Sequence, residues 1–125
     1  YTVAIRLKPD YAEAYNNRGI AYDKLGQYSR AIEDFNQAIR LKPDYAEEYN
    51  NRGNAYIDLG QYSRAIEDFN QAIRLKPDYA EAYNNRGIAY ILSGNKTRGC
   101  ADAIKACGLG DCKVYEFTKH KGFCR

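Results

Sequence analysis

Three pairs of adjacent asparagines, spaced 34 residues apart, are the side chains in this sequence best suited to binding chemistry. They are Asn16-Asn17, Asn50-Asn51 and Asn84-Asn85. A side-chain amide offers both a donor and an acceptor, which suits the alternating N–H and C=O groups of an extended peptide. Asparagine is a mediocre helix former, so six of them in helical segments need a reason. Two interpretations are open: the amides bind a peptide backbone, or they join adjacent segments and face water.

A second set of side chains with its own chemistry consists of four cysteines near the C-terminal end: Cys100, Cys107, Cys112 and Cys124. Cys100 and Cys107 lie seven residues apart on one predicted helix, about 10 Å along its axis. A disulfide needs Cα atoms within about 7 Å, so these two do not pair. A helical hairpin that turns after Cys107 places it beside Cys112, and a chain that folds back after Gly122 brings Cys124 to Cys100. We therefore predict the disulfides Cys107–Cys112 and Cys100–Cys124.

Two alternatives for the cysteines stay open. They are free buried thiols of a cytoplasmic protein, or they bind zinc together with His120, although no C-x-x-C pair is present. Oxidised cysteines favour an exported protein, for example in a bacterial periplasm. Otherwise we expect a cytoplasmic protein.

Other classes of function find little support in the composition. His120 is the only histidine, and no third group is indicated that would orient a Cys–His pair. Gly108-Leu109-Gly110 lacks the rest of a nucleotide-binding fingerprint. We predict that the chain is not an enzyme and needs no cofactor or metal. The sequence contains no run of about 18 apolar residues, so it does not predict a membrane-spanning segment. Because the sequence begins at Tyr1 rather than at methionine, we expect a fragment of a longer protein.

Charge is distributed unevenly along the chain. The net charge of +3 is too small to indicate a nucleic-acid partner. Residues 96–125, however, hold seven basic and three acidic side chains. Such a basic segment is either a solvated helical face or an aid in binding an anionic partner.

The asparagine pairs belong to a long internal repeat. Residues 12–45 and 46–79 differ at only four positions: Ala14/Glu48, Ile20/Asn54, Asp23/Ile57 and Lys24/Asp58. Apolar residues recur at helical spacing in two stripes per repeat, about 12–25 and 28–41, separated by Gly26-Gln27. Pro43 ends the second stripe, because the residue before a proline is disfavoured in a helix. Each repeat is thus predicted to be a helical hairpin that buries its faces against neighbouring copies.

This pattern resembles the tetratricopeptide repeat family over about residues 2–94. The family's pattern of aromatic, glycine and alanine residues followed by proline is present in the first repeat as Tyr15, Gly19, Tyr22, Ala31, Phe35, Ala38 and Pro43, and again 34 residues later. The resemblance implies an all-α, right-handed superhelical solenoid. Its units are a truncated half repeat at 1–11, repeats at 12–45 and 46–79, a divergent repeat at 80–107 and a C-terminal cap at 108–125.

Arginine replaces the family's frequent leucine before the glycine, as Arg18, Arg52 and Arg86. We expect these arginines to pair with acids on the second helix of each hairpin rather than to reach the groove.

In this family the first helices line a concave groove, which implies a peptide-binding surface on them. The predicted binding residues are Asn16, Asn17, Ile20, Asp23, Asn50, Asn51, Asn54, Ile57, Asp58, Asn84, Asn85 and Ile88. A known binding mode, the carboxylate clamp for acidic chaperone tails, needs Lys and Arg on these helices. The corresponding positions hold Asn16, Ile20, Asn50 and Asn54, so that mode is not expected.

The resemblance therefore implies a non-enzymatic scaffold with a protein or peptide partner. The alternative is a structural module that forms homo-oligomers by stacking or swapping its terminal repeats. Near the C-terminal end, Ile88, Ile91 and Leu92 form an apolar patch that either seats a peptide side chain or is covered by the last helix. The spacing of Cys107 and Cys112 is also similar to that of the helix-bridging cysteines in Sel1-like repeats.

Overall fold

A computed structural model describes residues 11–124, which form seven α-helices and no strand. The helices are α1 (Ala12–Lys24), α2 (Tyr28–Leu41), α3 (Ala46–Asp58), α4 (Tyr62–Leu75), α5 (Ala80–Leu92), α6 (Lys96–Gly108) and α7 (Lys113–His120). The half repeat predicted at 1–11 lies, except for its last residue, outside the described residues. Within the described part of the chain, no helix is long and apolar enough to cross a membrane.

The helices form a row of antiparallel hairpins. α1 packs on α2, α3 on α4 and α5 on α6, and each hairpin also packs on the next through α2 with α3 and α4 with α5. Sharp reversals join the two helices of a hairpin. In the first, Gly26 adopts a left-handed φ of 77°, and the Gln27 N–H donates to the carbonyl of Tyr22 at 2.9 Å. Only glycine adopts that backbone readily, so the glycine fixes where the helix ends.

The core is a series of small clusters between successive hairpins rather than one large centre. Ala31 and Phe35 of α2 pack against Ala55 of the next hairpin, and Ala65 and Phe69 of α4 pack against Ala89. Both of these clusters need residues from two repeats, which explains why one hairpin alone does not complete a core.

Glycine in the first helix makes room for the phenylalanine of the second. A Cβ atom on Gly19 would lie 2.6 Å from Cε1 of Phe35, and one on Gly53 would lie 2.5 Å from Cε1 of Phe69. The Phe35 ring occupies the space beside Gly19. Ala31 packs against Ala55 of the next hairpin, and Ala38 packs against Ala14 and Tyr15 at the start of α1.

Replacing Gly53 with alanine is expected to destabilise the protein by about 1–3 kcal/mol through overpacking. The roughly 1 kcal/mol gained in helix propensity does not offset this cost. The matched control is Gly108→Ala at the end of α6, where a Cβ atom meets nothing within 4 Å. Urea unfolding should show a loss for the first variant and none for the second. Equal stability of the two variants would contradict the close contact.

The predicted role of the three arginines is confirmed. The guanidinium Nη2 atoms of Arg18, Arg52 and Arg86 lie 2.7 Å from the carboxylates of Asp34, Asp68 and Asp102, respectively. In each case the Nε atom donates to the second carboxylate oxygen, which makes the pair bidentate.

Two of these arginines also join neighbouring repeats. Arg52 donates to the Asn36 side chain at 2.8 Å, and Arg86 donates to Asn70 at 2.9 Å. One guanidinium therefore holds its own hairpin together and ties it to the preceding one.

Candidate functional site

The groove is formed by the first helices of the three hairpins, α1, α3 and α5, which contact each other in order. Asn17, Asn51 and Asn85 occupy the same place on these helices, and each is partly exposed. They form a row of amides that crosses all three repeats.

The other asparagine of each pair is buried. Asn16, Asn50 and Asn84 are inaccessible to a ligand, with Asn50 and Asn84 each only 1% exposed. These three residues were predicted to belong to the binding surface, but they lie buried between helices. Adjacent helical residues point about 100° apart, so two neighbouring asparagines cannot face the same groove.

Hydrogen bonds between repeats hold the exposed row in place. The Asn51 side chain donates to Asn16 Oδ1 at 3.0 Å, and Asn85 donates to Asn50 Oδ1 at 2.9 Å. The two residues of each bond are 35 positions apart. An amide has two N–H hydrogens and one carbonyl oxygen, so each exposed asparagine retains a donor and an acceptor for a ligand.

This series of bonds ends at the cap. Position 119, which follows Asn84 by 35 residues, is a lysine rather than an asparagine. Asn84 donates to the carbonyl of Asp111 at 3.4 Å, but its own Oδ1 is buried without a hydrogen-bond partner in the described part of the chain.

The remaining predicted groove residues differ in how much surface they offer. Ile20 and Ile57 pack against the clusters between repeats, so only part of each side chain is available. Asn54 is partly exposed, and Ile88 lies at the apolar end of the groove.

Two carboxyl groups interact at the opposite end of the groove. Asp23 of α1 and Asp58 of α3 are 35 residues apart, the same register as the asparagine bonds. Burial, and then the negative charge of Asp58, raise the pKa of Asp23 to about 6. The next pair in this register is Ile57 and Leu92. The groove thus changes from acidic to apolar along its length.

The apolar end borders a cavity of about 530 Å³ between α5 and α7. Leu92, whose patch was expected either to seat a peptide side chain or to be covered by the last helix, lines this cavity and is 52% exposed. The last helix begins at Lys113, and its Phe117 is 59% exposed. Val114 and Thr118 form its buried face instead.

The cap contains two disulfides. Cys100 is bonded to Cys124, with Cα atoms 5.5 Å apart, and Cys107 is bonded to Cys112. The first joins α6 to the segment after α7, and the second spans the turn between these two helices. Within residues 11–124 no cysteine is free, and no three His, Cys, Asp or Glu side chains are grouped so as to hold a metal ion.

Loss of the longer disulfide is expected to cost more stability than loss of the shorter one. Cys100–Cys124 closes a 24-residue separation and Cys107–Cys112 only five. The loop-entropy relation gives about 3.5 and about 2 kcal/mol, respectively. Urea unfolding of the double variants Cys100→Ser/Cys124→Ser and Cys107→Ser/Cys112→Ser, each beside the oxidised parent, measures both costs. A larger cost for the short loop would contradict this expectation.

Comparison with known proteins agrees with this architecture. A family model described as a tetratricopeptide repeat matches residues 12–45, a second with that description matches 35–67, and one described as a TPR repeat matches 53–94. The second TPR of Spaghetti (RPAP3), solved with the HSP90 peptide SRMEEVD, is 32% identical with a TM-score of 0.76. That match covers 78% of this chain and 91% of the other. This chain belongs to the tetratricopeptide repeat family.

Other solved members resemble this tetratricopeptide repeat protein as closely. The second TPR domain of human RPAP3, in complex with the HSP70 peptide SGPTIEEVD, is 30% identical with a TM-score of 0.79 and covers 84% of this chain and 89% of its own. The Arabidopsis OM64 TPR domain is 25% identical with a TM-score of 0.84, covering 88% and 92%. No curated protein matches the sequence. None of the three family-model matches extends beyond residue 94, so the likeness of the cap to Sel1-like repeats stays a resemblance.

Proposed function

We propose that this tetratricopeptide repeat protein is a non-enzymatic scaffold that binds an extended segment of a partner protein along α1, α3 and α5. The observation that carries the proposal is the row of Asn17, Asn51 and Asn85. Cross-repeat hydrogen bonds fix Asn51 and Asn85, so little side-chain entropy is lost when they bind a ligand. Their spare donors and acceptors match the backbone of an extended chain.

The solved relatives support a role in protein interaction, since two of them were determined with bound peptides. Those peptides end in acidic residues, whereas the side chains of this groove do not favour an acidic ligand. Asn16 and Asn50, which occupy two positions of the carboxylate clamp, are neutral and buried. Asp23 and Asp58 add negative charge to the same helices, which disfavours an acidic tail in this part of the groove.

The test combines peptide selection with substitution of the amide row. Peptides are selected by phage display on the immobilised protein, and their affinities are measured by fluorescence anisotropy. The triple variant Asn17→Ala/Asn51→Ala/Asn85→Ala is expected to bind the selected peptides at least tenfold more weakly, with unchanged helicity by circular dichroism. Glu33→Ala/Glu67→Ala is the control, because both residues are exposed on the second helices. Equal affinity of the triple variant and the parent would refute the proposal.

A further inference from the structure

The cavity between α5 and α7 is apolar on nearly every side. Ile88, Ile91 and Leu92 form one wall. The other wall consists of Val114, Phe117 and Thr118 of α7, with Phe123 and Lys113 at the edge.

Few polar groups in this cavity are available to a ligand. The Thr118 hydroxyl is already hydrogen-bonded to the carbonyls of Val114 and Tyr115, at 2.8 and 3.0 Å. A polar ligand group inserted here would lose its hydrogen bonds to water without replacement, which costs free energy. The occupant therefore has to be apolar. A volume of about 530 Å³ is in the range of small-ligand pockets and admits one or two large side chains.

The rim of the cavity is basic. Lys113 lines it with a largely exposed side chain, and the ion pair that it makes with Asp111 is long at 3.9 Å. Lys121 Nζ lies 5.9 Å from the ring centroid of Phe117, and Lys96 Nζ lies 5.1 Å from that of Phe123. Each aromatic wall thus has a cation beside it.

This charge favours one occupant over another. A second copy of the chain, docked through the same face, would bring the same lysines together and repel. A partner segment with carboxylates beside its apolar side chains would instead be attracted to all three lysines. The cations belong to the cap and to α6, so this site is separate from the neutral clamp positions on α1 and α3.

We infer that the α5–α7 cavity seats one or two large apolar side chains of a partner segment whose flanking residues are acidic. The inference rests on the proposed function, because Ile88 belongs both to the groove and to the cavity. It adds a specificity pocket at one end of the amide row, where the bound segment's apolar residues would fix its register.

Three synthetic fluorescein-labelled peptides test the inference. The first has a central Leu-Phe pair with two glutamates on each side, in the second Ala-Ala replaces Leu-Phe, and in the third lysines replace the glutamates. The first is expected to bind at least tenfold more tightly than either of the others, and its affinity should fall with added salt. Equal binding of the first two peptides, or tighter binding of the third, would overturn the inference.

Protein variants locate the site. Phe117→Glu and Leu92→Glu are expected to weaken binding of the first peptide at least tenfold, while Leu25→Glu, an exposed leucine far from the cavity, leaves it unchanged. If either cavity variant loses helicity, Lys113→Glu/Lys121→Glu replaces it, because both lysines are exposed and the charge reversal alone should abolish binding. Unchanged affinity in folded cavity variants would overturn the pocket.

Two further measurements separate the competing outcomes. Light scattering at several protein concentrations should give a constant mass; a dimer that Phe117→Glu abolishes would mean that a second copy fills the cavity, which overturns the inference. With the display-selected peptides, loss of binding in the asparagine triple variant but not in the cavity variants would leave the groove in place and refute only the pocket. The reverse pattern would refute the amide row and support the pocket.

Discussion

Replacing Glu48 with alanine is expected to stabilise the protein at pH 8–9 by on the order of 4 kcal/mol. Glu48 is 0% exposed, and neither carboxyl oxygen has a hydrogen-bond partner in the described part of the chain. The corresponding residues of the other repeats are Ala14 and Ala82, both buried, and Ala82 packs in an apolar cluster. The fold therefore accepts alanine at this position and has no partner for a charge.

The pH dependence of stability follows from the same carboxyl group. Burial raises the pKa of Glu48 to about 8 in the folded protein, with the charge of Lys42 opposing the shift in part. The ordinary value is 4.5, so between pH 4.5 and 8 the folded state binds the proton more tightly than the unfolded state. The free energy of unfolding therefore falls as the pH rises through this window, and ionisation of Glu48 does not lower it below the window.

Urea unfolding of the parent and of Glu48→Ala at half-unit steps from pH 4.5 to 9 measures this effect. The difference in the free energy of unfolding between the two should be constant at the acid end and should shift steadily in favour of Glu48→Ala above it. Glu48→Gln, which keeps the size but not the ionisation, should also lose most of the slope. Glu47→Ala is the control, because this neighbour is only partly buried and its removal leaves Glu48 in place. A parent and a Glu48→Ala variant with parallel curves would show that Glu48 ionises normally.

Replacing Asp68 with alanine is expected to destabilise the protein by about 3–5 kcal/mol. Asp68 is buried and accepts two hydrogen bonds from Arg52, at 2.9 and 2.7 Å. Without it, the guanidinium keeps its hydrogen bond to Asn36 and its contact with the Tyr49 ring, and it stays largely out of water. Most of the loss comes from that uncompensated charge rather than from the attraction itself.

A double-mutant cycle separates these contributions. Arg52→Leu/Asp68→Leu removes both charges. This double variant should therefore lose less free energy of unfolding than Asp68→Ala does. Glu67→Ala, an exposed acid next to Asp68 on α4, should change stability by less than about 0.5 kcal/mol. A loss below about 1 kcal/mol for Asp68→Ala, measured by urea unfolding, would contradict a buried pair of this strength.

The helices and the Arg–Asp pairs could be predicted from sequence because both depend on contacts within one hairpin. Helical periodicity defines which residues share a face, and Arg52 and Asp68 lie on facing helices of the same repeat. Contacts between repeats depend on the rotation from one hairpin to the next, which the periodicity does not contain. Sequence reasoning therefore placed Asn50 in the groove, although it is buried, and gave no sign that Glu48 lacks a partner.

The cap was harder to predict than the repeats, since no second copy of it exists for comparison. Phe117 fits a buried stripe, but α7 is short, and only Val114 and Thr118 on it are buried. The sequence contains one indication of the apolar surface on the cap. Three apolar residues late in the chain, Val114, Phe117 and Phe123, lie close to several lysines. Together with Ile91 and Leu92, these residues line the cavity between α5 and α7.

Since α2 meets α3 through the same residue types with which α4 meets α5, duplication of one 34-residue unit would create no new kind of interface. Genetic recombination between the two near-identical segments would lengthen or shorten the protein in whole modules. Each added module would contribute one more amide to the row, so the length of partner segment that the proposed groove accommodates would change in steps of one repeat.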